Sequence, residues 1–306
     1  MPHLKTTRID GKMRKNFIII LVFFVYIFLR SAWYMLDKNV HITLCDVGQG
    51  DSILIRWKDK EVLIDAGRSE AVLECLSKNL HPLDTTLEVV IATHPDSDHI
   101  GGFEYVLKRY KVNQYISNGE LGSTEVAKRV NTILSGQQTR VISMKSDDSF
   151  QIGPLHWLCI WPSGELMKKS DQLGQKINGI RVKSHSTNAA SLVFRLEFGD
   201  FRGLFTGDLE IPEENILLTS GKVQPIDLLK VGHHGSNGSS SEALLQKTHP
   251  TFALISVGAN NTYGHPSKRV IDMLFSLGAT VYRTDRDGEV RLVTNGRTIW
   301  REHPML

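Results

Sequence analysis

The chain has 306 residues, 41% of them apolar and 23% charged. That is enough for one large or two modest domains with a sizeable core, and it excludes collagen-like, coiled-coil, mainly disordered and multi-span membrane classes. Three cysteines (Cys45, Cys75, Cys159) without a C-x-x-C exclude a disulfide scaffold and a cysteine-built zinc module, and leave the compartment open. The net charge of +3 is uneven: residues 1–36 carry six basic residues and one acidic, +5, whereas the remainder carries thirty basic and thirty-two acidic, −2. The body is therefore not a broadly basic nucleic-acid surface, and DNA binding would have to be local.

The first element is apolar. Residues 17–29 read FIIILVFFVYIFL, and residues 17–36 together match a bilayer span. Arg30 can snorkel, Trp33 and Tyr34 suit the interface, and the preceding cations place residues 1–16 in the cytoplasm. A cleaved signal is the alternative, but Arg30 stands where the cleavage site needs a small residue. The reading is a single-pass anchor over 17–36, with the body, 37–306, outside the cytoplasm or secreted.

After Asn39 the texture becomes short β-rich runs: strands at 40–46, 52–57 and 61–65 with a tight turn over 48–51, then a helix over 70–80 and a buried strand at 88–93. A helix over 100–110, a strand at 113–117, a helix at 124–135, and strands near 139–142 and 155–161 follow. Residues 163–188 are polar with weak periodicity, which predicts a lid or disordered loop. Beyond them come strands at 190–198 and 202–206, a helix at 211–220, and strand–helix units at 226–231, 240–247, 252–256 and 267–276. Strands at 280–283, 289–294 and 297–301 close the chain. Two mixed sheets face to face with helices outside satisfy this order, as one domain.

The chemistry concentrates in Thr93-His94-Pro95-Asp96-Ser97-Asp98-His99-Ile100-Gly101-Gly102. Four potential metal ligands stand within six residues, just past a buried strand, and imidazole and carboxylate suit zinc or manganese. The plainer reading has Asp98 as the N-cap of the helix at 100–110. Gly101-Gly102 removes side chains where that helix must approach the site closely.

H-x-D-x-D-H-x-G-G resembles the signature of the metallo-β-lactamase fold. DVGQGDSILI (46–55), VLIDAG (62–67), LFTGDLE (204–210), LLKVGHHGSN (228–237) and SVGANNTYGHP (256–266) follow in the order of the hydrolase domain of the ComEC-type DNA-internalisation family. The resemblance covers about residues 40–302 and lacks that family's membrane channel. It implies an α/β, four-layer αββα sandwich holding two divalent ions, zinc with manganese as the alternative. Asp98, His99 and His265 would serve one ion and His94 and Asp96 the other, with Asp208 bridging. Asp65 would orient the metal loop. His233 and His234 follow a strand, and either one could act as a general acid, a ligand or a phosphate holder, with Ser236 nearby. Asp98, His233 and His234 are thus the candidate catalytic residues. Asn188 stands where many relatives of this fold carry a further ligand histidine, and His185 lies close by in the polar loop. Gly-x-Gly-Asp at 48–51 lacks the Lys-Ser/Thr of a phosphate loop and reads as a turn.

The resulting expectation is an anchored or exported dinuclear hydrolase of phosphodiesters, with single-stranded DNA as a possible substrate. Two cations would acidify a water and neutralise charge on a phosphoryl or acyl oxygen. The alternatives are a cell-envelope phosphoester, a lactone or a β-lactam as substrate, or a non-catalytic partner of a separate membrane channel protein.

Overall fold

The structure is a computed structural model that describes residues 11–166, 176–177, 180–181 and 186–302. It opens with helix α1, Gly11–Leu36, 26 residues long. The apolar side chains from Phe17 to Tyr26 are exposed on it. Among the described residues, no helix is long and apolar enough to cross a membrane.

The body is built on two sheets. The first runs β17-β16-β1-β2-β3-β4-β5-β6, where β1 is Val40–Leu44, β2 Ile53–Trp57, β3 Lys60–Ile64, β4 Thr86–Ile91, β5 Lys111–Ser117, β6 Arg140–Ser143, β16 Val290–Thr294 and β17 Ile299–Arg301. The second runs β15-β14-β13-β12-β11-β8-β7, with β7 Ser149–Ile152, β8 Leu155–Trp161, β11 Val193–Phe198, β12 Phe201–Phe205, β13 Leu228–Lys230, β14 Phe252–Ile255 and β15 Thr280–Arg283. Each sheet pairs antiparallel hairpins on one side with parallel strands on the other: β3 to β6 in the first and β12 to β15 in the second.

Alternation in the sequence sorts the layers. Ile53, Ile55, Val62 and Ile64 face the second sheet, whose Trp157, Phe194, Leu196 and Phe205 meet them in a shared core. Leu54, Leu63 and Val90 point the other way, onto helices Ala71–Asn79, Phe103–Arg109 and Glu125–Ser135. Leu204, Leu229 and Ala253 likewise cover the outer face of the second sheet, under helices Ile211–Thr219, Glu242–Thr248 and Lys268–Ser276. The result is an αββα sandwich, as the element order implies.

The structure departs from the sequence reading in four places. The helix expected over 100–110 is two short ones, Ser97–Ile100 and Phe103–Arg109, with Gly101 and Gly102 at the junction. A Cβ on Gly102 would lie 2.0 Å from the Ala66 carbonyl oxygen, so the junction sits directly on the β3 exit. Asp98 lies inside the first of these helices; Asp96 holds the N-cap position without a side-chain cap bond. β7 was not anticipated. Within the polar stretch 163–188, Lys176–Ile177 (β9) and Ile180–Arg181 (β10) pair antiparallel. Most of the expected lid, residues 167–175, 178–179 and 182–185 including His185, lies outside the described residues. Finally, Cys45 and Cys75 form a disulfide across 30 residues, tying the end of β1 to helix Ala71–Asn79. Three cysteines gave no pairing rule that could have found it.

Candidate metal centre

The site lies at the carboxyl ends of the parallel strands, where open α/β sheets place ligand clefts. From the first sheet, β3 runs into Asp65, which adopts φ of +54°. Its carboxylate accepts hydrogen bonds from the Thr93 amide at 2.8 Å and the Thr93 hydroxyl at 2.7 Å, and lies 2.8 Å from His99 Nδ1. The His99 ring is thereby fixed with Nε2 facing outward. β4 delivers His94, fully buried beside His99 with ring centroids 4.1 Å apart. His94 Nδ1 lies 3.1 Å from the Thr93 hydroxyl and 3.3 Å from that of Ser191, which turns its Nε2 toward the cleft too.

From the second sheet, β12 ends in Thr206-Gly207-Asp208. Asp208 Oδ2 is 3.3 Å from His99 Nε2, 3.6 Å from His234 Nε2 and 3.7 Å from His233 Nε2, at the centre of the cluster. β13 leads to His233 and His234, which adopt φ of +46° and +52° in succession. Two adjacent non-glycine residues in the left-handed region are costly and persist only where the surroundings impose them. Here His234 Nδ1 is 2.9 Å from the Ser256 carbonyl, the His233 amide donates to Gly207 O at 3.2 Å, and the Ser239 hydroxyl donates to Gly232 O at 2.6 Å. The kink sends the two rings to different places. His234 is buried and its Nε2 faces Asp98 Oδ2 at 3.6 Å. His233 is half-buried on the wall, its Nδ1 3.1 Å from Glu210 Oε1.

Behind the cluster sits a pair that the sequence reading missed. Asp51, assigned to a turn, is buried, with Oδ1 3.2 Å from His234 Nδ1 and Oδ2 2.5 Å from Lys230 Nζ. Lys230, assigned to a strand interior, is 1% exposed. It joins the turn of the first sheet to β13 of the second. Gly50 makes the turn possible: a Cβ there would stand 2.1 Å from Asp98 O. The overlooked signal was a lysine inside the apolar run Leu228-Leu229-Lys230-Val231. Glu210, which braces His233, was missed as well.

The electrostatics follow from this packing. Burial and the neighbouring His99 push His94 down to about 3, so it is a neutral donor. Burial opposes a charge on His99, but Asp208 and Asp65 outweigh it and hold its pKa well above the usual imidazole value. Burial likewise opposes a charge on His234, and Asp208 and Asp51 outweigh it, to about 9. Burial would raise Asp208 and Asp51; the histidines around Asp208, and Lys230 with His234 around Asp51, hold both below the ordinary carboxylate value.

The donors fit divalent cations. His94, His99 and Asp208 offer atoms within 4.8 Å of one another, and so do Asp98, His99 and His234, and Asp51, Asp208 and His234. The Nε2 atoms of His94, His99 and His234 and Asp208 Oδ1 are buried without a hydrogen-bond partner. Such orphaned atoms cost about 1–3 kcal/mol each, and a cation would satisfy them together. Of the other expected ligands, Asp96 Oδ2 lies 3.8 Å from His94 Nε2. His265 is not in any of these donor groups. It lines the same pocket and stands beside His233 at 5.7 Å between ring centroids, while His234 stands beside Asp98 and His99. Asn188 reaches Glu210 at 3.3 Å and lines the same pocket. Ser236 is not among the pocket-lining residues, its hydroxyl accepting from the Gly238 amide.

Residues 45–258 match the metallo-beta-lactamase superfamily. Among curated proteins, "ComE operon protein 3" of Bacillus subtilis (strain 168) is 28% identical over 286 residues, 86% of this chain and 34% of that protein. "Recombination protein 2" of Haemophilus influenzae is 31% identical over 297 residues, 95% of this chain and 33% of that protein. "Competence protein ComA" of Neisseria gonorrhoeae is 29% identical, over 83% of this chain and 32% of that protein. The chain thus spans about a third of the length of these ComEC-type competence relatives. Among solved structures, the metallo-beta-lactamase fold protein YhfI from Bacillus subtilis covers 87% of this chain and all of its own at 13% identity, with a TM-score of 0.52, a likeness of fold alone. Sequence match, strand order and the converging donors agree: the chain belongs to the metallo-beta-lactamase superfamily, as a metal-dependent hydrolase.

Proposed function

We propose that the protein is a dinuclear phosphodiesterase acting on single-stranded DNA or related phosphodiesters, anchored in the membrane by its first helix with the catalytic body outside the cytoplasm. The observation that carries the reading is the split fate of the histidine pair. His234, buried against Asp98 and Asp208, is a ligand, with His94, Asp96, Asp98, His99 and Asp208. His233 is left on the wall with one nitrogen braced by Glu210 and the other facing the cleft. These ligands would hold divalent ions, zinc or manganese, which would supply an acidified water and neutralise charge on the non-bridging oxygens. His233 gives its Nε2 proton to the departing oxygen, while Glu210, 3.1 Å from Nδ1, keeps the ring oriented. Relatives named for competence and recombination support a DNA substrate. The exposed apolar run from Phe17 to Tyr26 on α1 supports an anchor, and the Cys45–Cys75 disulfide supports an oxidising compartment.

The test is a substrate panel on the full chain in detergent with zinc or manganese: single-stranded oligonucleotide, a simple phosphodiester, a phosphomonoester and a chromogenic β-lactam. Phosphodiester turnover should dominate. His233→Ala should lower it by about 10²–10⁴-fold with metal content retained, and an activated leaving group should restore part of the rate. Loss of metal in that variant would make His233 a ligand. β-Lactam turnover far above any phosphodiester would overturn the reading.

A further inference from the structure

Two side chains on the rim of the metal pocket have no part in the hydrolytic chemistry. Tyr263 is 61% exposed and lines the pocket, its ring lying nearly parallel to that of His265 at 5.9 Å and 17°. Apart from it, the lining is polar or ionisable: Gln49, Arg68, Asn188 and the acids and histidines of the centre. Arg68 is exposed and makes no hydrogen bond or ion pair among the described residues.

The loop that carries Tyr263 is hydrogen-bonded on either side of it. Asn261 Oδ1 accepts the His265 amide at 3.1 Å, and Asn261 Nδ2 donates to Gly258 O at 3.0 Å and His265 O at 2.9 Å. The Gly258 amide in turn donates to Gln49 Oε1 at 3.2 Å, tying the loop to the turn that carries Asp51. An exposed aromatic ring on a polar rim offers a π-face that every nucleobase can use. An unpaired guanidinium on the same rim offers a fork for a phosphate. The body has no broad positive field to attract a polyanion, so recognition has to be local.

We propose that Tyr263 and Arg68 form a nucleotide clamp, with a base next to the scissile bond stacking on Tyr263 and Arg68 holding an adjacent phosphate. The inference rests on the phosphodiester reading of the same site and narrows it to substrates that carry a flat base. A sugar phosphate or a lipid phosphoester has nothing to stack.

The experiment compares a single-stranded oligonucleotide with an abasic one of the same length, for wild type, Tyr263→Ala, Tyr263→Phe and Arg68→Ala. KM, kcat and binding by fluorescence anisotropy are measured on the full chain in detergent with manganese, with metal content read in parallel. Wild type should favour the base-bearing oligomer in KM by about 5- to 150-fold, the range of one stacked base. Tyr263→Ala should collapse that ratio toward one, Tyr263→Phe should keep it, and Arg68→Ala should weaken both oligomers alike. Metal content should not move. Hydrolysis of both oligomers without base preference, or a preference that survives Tyr263→Ala, overturns the clamp and leaves the phosphodiesterase reading standing. If neither oligomer is cut, that reading fails and anisotropy decides: base-dependent binding lost in Tyr263→Ala supports the clamp, and base-independent binding or none overturns it.

Discussion

Asp51 and Glu61 are buried ten residues apart in one meander, at 2% and 0% exposure, and they resolve burial in opposite ways. Asp51 keeps its charge: burial works against it, but Lys230 and His234 hold its pKa below the ordinary value. Glu61 gives its charge up: burial, with Asp84 and Glu88 nearby, pushes it up to about 10, and Arg56 offsets only part. A buried carboxylate remains ionised only if a cation is buried with it. Behind the metal centre Lys230 lies in direct contact with Asp51, whose fixed negative charge orients His234, whereas at Glu61 the buried Arg56 offsets only part of the burial.

Lys230→Met should break this contrast most strongly. It leaves Asp51 buried without its cation, and breaking a buried pair from one side costs about 3–5 kcal/mol. Urea unfolding at neutral pH measures it, and Lys230→Met combined with Asp51→Leu should recover part of the loss. A Lys230→Met protein that unfolds at the wild-type midpoint would mean that Asp51 has no need of its partner. Next, Asp51→Asn keeps the shape but removes the charge that fixes His234. Metal affinity by equilibrium dialysis should fall about 10–100-fold, more than stability does; unchanged affinity would reduce the pair to a structural tie. The third test is Glu61→Gln. The folded pKa of Glu61 lies above its unfolded value of 4.5, so its contribution is fully present below that value and is lost as pH rises toward about 10. The urea midpoint of the wild type should therefore fall relative to Glu61→Gln as pH rises. Parallel curves from about pH 5 to 9 would show that Glu61 is ionised throughout.

The contrast also marks what the sequence could disclose. His94, Asp96, Asp98 and His99 sit within six residues, so their chemistry shows in a single string, and the alternation at Ile53–Ile55 and Val62–Ile64 sorts the layers of the sandwich without a structure. Asp51 and Lys230 are 179 positions apart and meet only because the two sheets face each other. Each had a sufficient local explanation, one as a turn residue after glycine and the other as part of a strand. The histidine pair was visible, but the consecutive left-handed conformations that send His233 to the wall and His234 to the interior depend on bonds to Ser239 and Ser256 on other segments.

The partner of β1 has a consequence for how the chain comes together. Val40 pairs with Thr294 and Leu44 with Val290, so one flank of β1 is satisfied only by a strand made about 250 residues later. At ordinary synthesis rates that flank stays open for roughly 10–50 s. During that interval β1 is an unprotected sheet edge of the kind that recruits other strands. Contacts this distant in sequence slow folding, and they give β16 a second task as the covering that ends this exposure. A chain cut short before Val290 would carry the permanent open edge of β1 and would be expected to associate through it.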